Sequence, residues 1–126
     1  MSTHAASYSP SAYRASAVLT ASPGQLVVML YDGARRFLYQ GAVAMSEREL
    51  VTAHNKLTRA EEIIRHLRSS LDMDQGLIAE RLQSIYTFSL AHLRQARLDQ
   101  DSHKIELVSD LLGRLRESWA AIADNA

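Results

Sequence analysis

The chain has 126 residues, 47% of them hydrophobic, with 14 Lys plus Arg set against 14 Asp plus Glu. That length suits one domain whose core needs no metal or disulfide staple, and a formal net charge of zero gives no electrostatic case for nucleic acid or an anionic membrane. There is no cysteine, which excludes disulfides and thiolate metal sites and is compatible with a reducing compartment.

Both prolines, Pro10 and Pro23, lie near the start, and everything after Pro23 is free to be helical. This predicts an N-terminal arm, residues 1–20, and a helical domain, residues 21–126. The opening MSTHAASYSPSAYRAS lacks the basic start and continuous apolar run of a secretory signal, and no stretch approaches the roughly 18 apolar residues of a membrane span. A cytoplasmic protein without stable membrane insertion is expected. Tyr13, Ala17 and Val18 can line a short helix in the arm, but one too short to hold without docking, so the arm is predicted to be mobile.

The first helix of the body opens on Ser22, Pro23 and Gln25, which supply a capping hydroxyl, a proline where no N–H is needed and a Gln at the capping-box position. It is predicted to run to about Met45. Counting about 100° per residue, Gln25, Asp32, Arg35, Arg36 and Gln40 gather on a polar face. Val28, Met29 and Tyr39 project into that same face, while Leu26, Val27, Leu30, Tyr31, Ala34, Phe37, Leu38 and Ala42 opposite already suffice to bury the helix. The surplus points to a partner, or to the arm folding over it.

Ser46 and Glu49 have the spacing of a second capping box, and Leu50, Leu57, Ile64 and Leu71 then recur every seven residues with Ala53, Ala60 and Leu67 between them. Gly76 breaks this seam. Ile78, Leu82, Ile85, Ser89, Leu93 and Ala96 build a third stripe, with Leu77 and Phe88 on its far side. Asp99 to Ser102 forms a polar turn, and Ile105, Val108, Leu112, Leu115, Trp119 and Ile122 make a fourth, very regular stripe. Short connections make consecutive helices antiparallel, so the predicted fold is all-α, an up-and-down four-helix bundle preceded by the arm.

Chemistry finds little support in these residues. A carboxylate-bridged metal site in a bundle needs Glu-x-x-His pairs, and there is none; Glu61 with Arg65 and Glu62 with His66 read as solvated helix-surface pairs. His54 and His92 are expected to pack at stripe edges, and His4 and His103 to be exposed. No serine sits in a Gly-x-Ser-x-Gly elbow, Gly24 and Gly33 make no phosphate loop, and Asp72 with Asp74 is only a fragment of a calcium loop. No enzyme, cofactor, catalytic residue or metal ligand is expected. What remains is interaction, since grooves between helices accept an amphipathic helix from another chain.

The blocks TASPGQLVVMLYDGARRFL at Thr20 to Leu38, NKLTRAEEIIRHLRSSLD at Asn55 to Asp72, GLIAERLQSIY at Gly76 to Tyr86 and LLGRLRESW at Leu111 to Trp119 resemble, in order and spacing, the FliS family of flagellar secretion chaperones. The resemblance implies an antiparallel helical bundle that binds the disordered C-terminal segment of flagellin as helices, prevents its premature polymerisation and brings it to the flagellar export gate. It also implies that the arm occupies part of the flagellin groove in the free protein and that a tyrosine in the arm, here Tyr13, serves at the gate. The candidate partner-binding residues are Tyr13 and Leu19 in the arm, Val28, Met29, Tyr31, Asp32 and Tyr39 on the first body helix, and Leu77 and Phe88 on the third. Two features depart from the family pattern: Leu77 follows Gly76 where a second glycine is frequent, and Arg97 follows Ala96 where an asparagine is common. The competing readings are a metal-dependent bundle enzyme and a self-associating bundle that buries its surplus in a weak homodimer.

Overall fold

Four helices make up nearly all of residues 21–125, the part of the chain described in the computed structural model, with side chains described up to Ile122. They are α1 (Pro23–Ser46), α2 (Leu50–Ser69), α3 (Leu77–Asp99) and α4 (Ser102–Asn125), and one 3-10 turn, Met73–Gln75, stands between α2 and α3. Among the described residues there is no strand. The arm, with Tyr13 and Leu19, lies outside them.

The helix starts follow local chemistry in three places and depart from it in one. At α1 the capping box forms, with the Gln25 N–H donating to Ser22 Oγ at 3.2 Å and the Ser22 N–H to Gln25 Oε1 at 2.9 Å. Gly76, at φ 73° and ψ −134°, turns the chain into α3 through a backbone region that only glycine enters without strain. Asp101 Oδ1 accepts from the His103 N–H at 3.0 Å to start α4. The capping box expected at Ser46 and Glu49 does not form. Ser46 is the last residue of α1 and its hydroxyl donates to the Val43 carbonyl at 2.9 Å, so α2 starts behind Glu49 with no side-chain cap.

The helices form a ring in which α1 packs closely on α2 and α4, while α3 closes the ring with looser contacts to the same two neighbours. Small residues allow the close approach. Two glycines of α1 face α2: a Cβ on Gly33 would stand 3.5 Å from Ile63 Cδ1, and one on Gly41 only 3.1 Å from Leu57 Cδ2, while Ala53 and Ala60 of α2 are fully buried. On the α4 side, Gly113 leaves space for Arg35, whose Nε donates to the Ser109 carbonyl at 3.1 Å.

The core is closed at one end and open at the other. Leu38, Ala53, Leu57, Leu93, Ala96, Ile105 and Val108 are all fully buried where α1 ends and α4 begins. At the opposite end Val27, Leu30, Leu71, Leu82, Leu115 and Trp119 are only partly covered. The α2 seam from Ala53 to Leu67 is buried as its spacing predicts, but Leu50 is exposed, and the α4 stripe fades towards Ile122, which is 60% exposed. The α3 stripe is rotated from its predicted setting. Ala79, Tyr86, Ser89, Leu90, Leu93 and Ala96 face the core, whereas Ile78 is 65% exposed and Leu82 and Ile85 are half-buried. Tyr86 takes the inward position because its hydroxyl finds a buried partner in Tyr31, which removes the usual cost of burying a phenol.

A second correction concerns Glu61. It is buried, and its partner is Arg97 on α3, not the neighbouring Arg65. Arg97 Nη2 donates to Glu61 Oε1 at 3.0 Å and to Thr58 Oγ1 at 3.1 Å, Nη1 donates to Glu61 Oε2, and Nε donates to His54 Nδ1 at 3.2 Å. The forked guanidinium thus answers the carboxylate's desolvation with two charge-assisted bonds and fixes α3 against α2 at the closed end. Arg97 is the source of this contact. Glu62 and His66 are exposed, in keeping with a solvated face.

The Oγ of Ser89 is buried at the centre of the core with no hydrogen-bond partner. Ser89→Ala removes an unmet polar group without opening a cavity, so it should raise the unfolding free energy by about 1 kcal/mol in urea titration, with an unchanged slope. A loss of stability of similar size would show that the hydroxyl has a partner in solution.

Candidate functional site

A cavity of about 340 Å³ opens at the loosely packed end of the bundle. Val27 of α1, Leu67 and Leu71 of α2, Ile78, Ala79, Leu82 and Tyr86 of α3 and Trp119 of α4 line it, with Ser70, Asp72 and Gln75 at its polar rim. The opening lies where α2 stops at Ser69 and the 3-10 turn leads into α3, whose first two turns bury Ala79 but leave Leu77 and Ile78 exposed. Tyr86 in its lining is hydrogen-bonded through its hydroxyl to that of the fully buried Tyr31, with the two rings 6.5 Å apart at 39°.

From the cavity an apolar strip runs along the seam between α3 and α4. Thr87 and Arg97 mark the side of α3 that faces α2, through Arg68 and Glu61. Ile78, Ile85 and His92, seven residues apart, lie on the opposite side of α3, turned towards α4. On α4, Lys104 marks the side that faces α3, with its Nζ 3.4 Å from Asp99 Oδ2, and Leu111, Leu115 and Ile122 continue that side at helical spacing. Phe88 lies at the outer edge, stacked on His92 with ring centres 5.1 Å apart. Leu77 shares its face about three turns away and is 60% exposed.

The predicted partner-binding residues divide on this map. Leu77 and Phe88 belong to the strip. Tyr31 does not lie on a binding surface: it is fully buried, because its ring fills the core and its hydroxyl is held by Tyr86. Asp32 is engaged with α4, accepting from Arg116 Nε at 2.9 Å and Nη2 at 3.4 Å, and this carboxylate holds the Arg116 guanidinium above its ordinary pKa. Val28 and Met29 are half-buried, and Met29 stands about 160° around α1 from Tyr31, turned away from α3. Tyr39 is exposed beside a separate shallow pocket between α1 and α4, with Arg35, Val43, Glu106 and Asp110. Sequence reasoning missed Ile78 and Ile122 by placing them in the core. The available signal was position, since both stand at helix ends beside the longest connection or beyond their neighbours' reach.

Nothing in this arrangement resembles a reaction centre, and among the described residues no three His, Asp or Glu side chains cluster closely enough to hold a metal ion. The cavity and strip are lined mainly by apolar side chains. In comparison with known proteins, the pattern of the family described as Flagellar protein FliS matches residues 5–126. The chain belongs to that family. The flagellar secretion chaperone FliS of Salmonella typhimurium is 36% identical over 113 residues, 88% of this chain and 84% of the relative. That of Vibrio cholerae is 34% identical over 103 residues, 81% and 76% of the two chains, and that of Bacillus subtilis 29% over 108 residues, 86% and 80%. FliS is a family of secretion chaperones, not of enzymes, and membership carries a chaperone role in flagellar export. Among the described residues no helix is long and apolar enough to cross a membrane.

The Met-Leu-Tyr-Asp-Gly-Ala block at Met29 to Ala34, a marker of the FliS resemblance, is a packing device in this chain. Tyr31 bonds Tyr86 across the core, Asp32 takes Arg116 from α4, and Gly33 leaves Ile63 Cδ1 3.5 Å from where a Cβ would stand.

Burial raises the pKa of both tyrosines of the pair. For Tyr31 the bond between the two hydroxyls opposes that rise, while for Tyr86 it adds to it. A phenol whose folded pKa is raised contributes stability that is complete below its unfolded pKa and is lost as pH rises above it. Unfolding free energy should therefore fall above about pH 10, and the double variant Tyr31→Phe/Tyr86→Phe should show a shallower fall. Urea unfolding at stepped alkaline pH checks this; equal slopes for both proteins would contradict it.

Proposed function

We propose that the protein is a cytosolic export chaperone that holds the disordered C-terminal segment of flagellin as helices along its apolar surface. In doing so it keeps that segment from polymerising early and carries it to the flagellar export gate. The observation that supports this reading is the open-end cavity and its continuation into the strip of Leu77, Ile78, Ile85, Phe88 and Ile122. An amphipathic helix with apolar residues at three- and four-residue spacing meets such a seam.

Magnitudes set the length of client required. Fully burying one Leu, Ile or Phe yields about 1.5–3 kcal/mol, so covering these five, already half-buried on average, yields on the order of 5 kcal/mol. Ordering a disordered segment costs about 2–5 kcal/mol. A short anchor in the cavity alone cannot offset that cost, so the client must follow the strip over several turns. In the same proposal Leu19 borders the client path and Tyr13 serves the export gate.

Leu77→Asp and Phe88→Asp place a charge on the strip without touching the core. Each should lower affinity for a flagellin C-terminal peptide about tenfold while changing stability by no more than about 1 kcal/mol, and Met29→Asp should weaken binding less. Calorimetric titration with circular dichroism as the folding control measures both. Unchanged affinity in the two α3 variants would overturn the assignment of the strip.

A further inference from the structure

The chain is neutral overall, yet its α1–α2 face is not. Arg36, Lys56 and Arg59 stand on that face around a groove of about 420 Å³ lined by Phe37, Thr52, Asn55, Lys56 and Arg59. Lys56 Nζ lies 5.8 Å from the centre of the Phe37 ring. The Arg36 guanidinium folds over Gly33, 3.9 Å from where a Cβ would stand, beside Ile63. Among the described residues no carboxylate lies within ion-pair distance of any of these three cations. Asp32, one turn before Arg36 and its natural helical partner, is committed to Arg116 on the other side of α1. The result is a shallow groove floored by Phe37 and walled by the cations Lys56 and Arg59 of α2, with a third cation, Arg36 of α1, standing over Gly33 beside Ile63 on the same pair of helices.

We infer that this α1–α2 face docks an acidic amphipathic helix of a second partner protein, at a site separate from the apolar strip on α3 and α4. Charge complementarity selects the occupant. Residues 1–20 contain no Asp or Glu but do contain Arg14 and His4, so the chain's own arm is not complementary. A second copy meeting this face symmetrically sets the same cations against one another. A helix with carboxylates three or four residues apart on both flanks of a small apolar stripe reaches Arg36 from one side and Lys56 and Arg59 from the other. Such surface pairs are individually weak and are screened by salt, so the contact is transient and salt-sensitive.

The probe is a blocked, fluorescein-labelled helical peptide with a Leu/Ala stripe flanked by glutamates, and its control carries lysines at those positions. Both are titrated by anisotropy against the full chain, free and preloaded with a flagellin C-terminal peptide. The inference expects saturable binding of the acidic peptide alone, weakened about tenfold by Arg36→Glu/Arg59→Glu and again on raising salt from about 50 to about 300 mM, and changed less than about twofold by the preloaded peptide. Amide shifts should cluster at Gly33, Phe37, Asn55 and Ile63. Arg36→Ala/Arg59→Ala, with helicity checked, guards against a folding artefact and should weaken binding less than the reversal. Equal binding of the lysine control, no effect of charge reversal, or shifts at Ile78 and Phe88 with competition by the flagellin peptide would each overturn it.

Discussion

The hydroxyl bond between Tyr31 and Tyr86 spans the core from α1 to α3, a pair of helices that face each other diagonally across the ring. It stands where the bundle changes from tightly closed to open. Without it, a phenol on either helix would sit buried and unpaired at a cost of about 1–3 kcal/mol, and α3 would gain by turning Tyr86 outward and Ile85 or Ile78 inward. That rotation would bury the very residues that form the apolar strip. The tyrosine pair therefore sets the rotation of α3, and the rotation of α3 determines which apolar side chains remain exposed.

In the proposed reading, stability and binding fall to different ends of the same bundle. At the closed end, small residues on α1 and α2 bring backbones close, Leu57, Leu93, Ile105 and Val108 are fully buried, and the Glu61–Arg97 pair fixes α3 against α2. That end can hold the fold while Val27, Leu71, Leu82, Leu115 and Trp119 at the other remain partly uncovered. A uniformly packed bundle would have no apolar surface left to offer, and a uniformly loose one would not hold the helix positions that give a groove its shape.

Much of this was legible because it is local. The Ser22–Gln25 cap, the break at Gly76, the α2 seam and the four helices follow from spacing and turn chemistry, and the order of motif blocks pointed to the family. What failed was non-local. Periodicity gives the direction of an apolar face but not whether a neighbour covers it, which is why Ile78 and Ile122 were read as core. Glu61 was paired with Arg65 because a helix shows only its own next turn; Arg97 is 36 residues away in sequence and adjacent only in the fold. Tyr31 and Asp32 are contact candidates in the sequence, yet in the fold Tyr31 is buried against Tyr86 and Asp32 holds Arg116 of α4. Ser46 and Glu49 had the spacing of a cap, but α1 ran through Ser46 and consumed its hydroxyl.

The central claim is that the open end and the α3–α4 strip form the client surface while the closed end carries the fold. Amide hydrogen exchange on the free chain and on its complex with a flagellin C-terminal peptide tests it directly. The account predicts slowest exchange in the free chain around Leu38, Leu57, Leu93 and Val108, and new protection on binding confined to the α3 segment from Ile78 to His92 and the α4 segment around Leu115 and Trp119. New protection centred on the α1–α2 face, or none along α3, would contradict it.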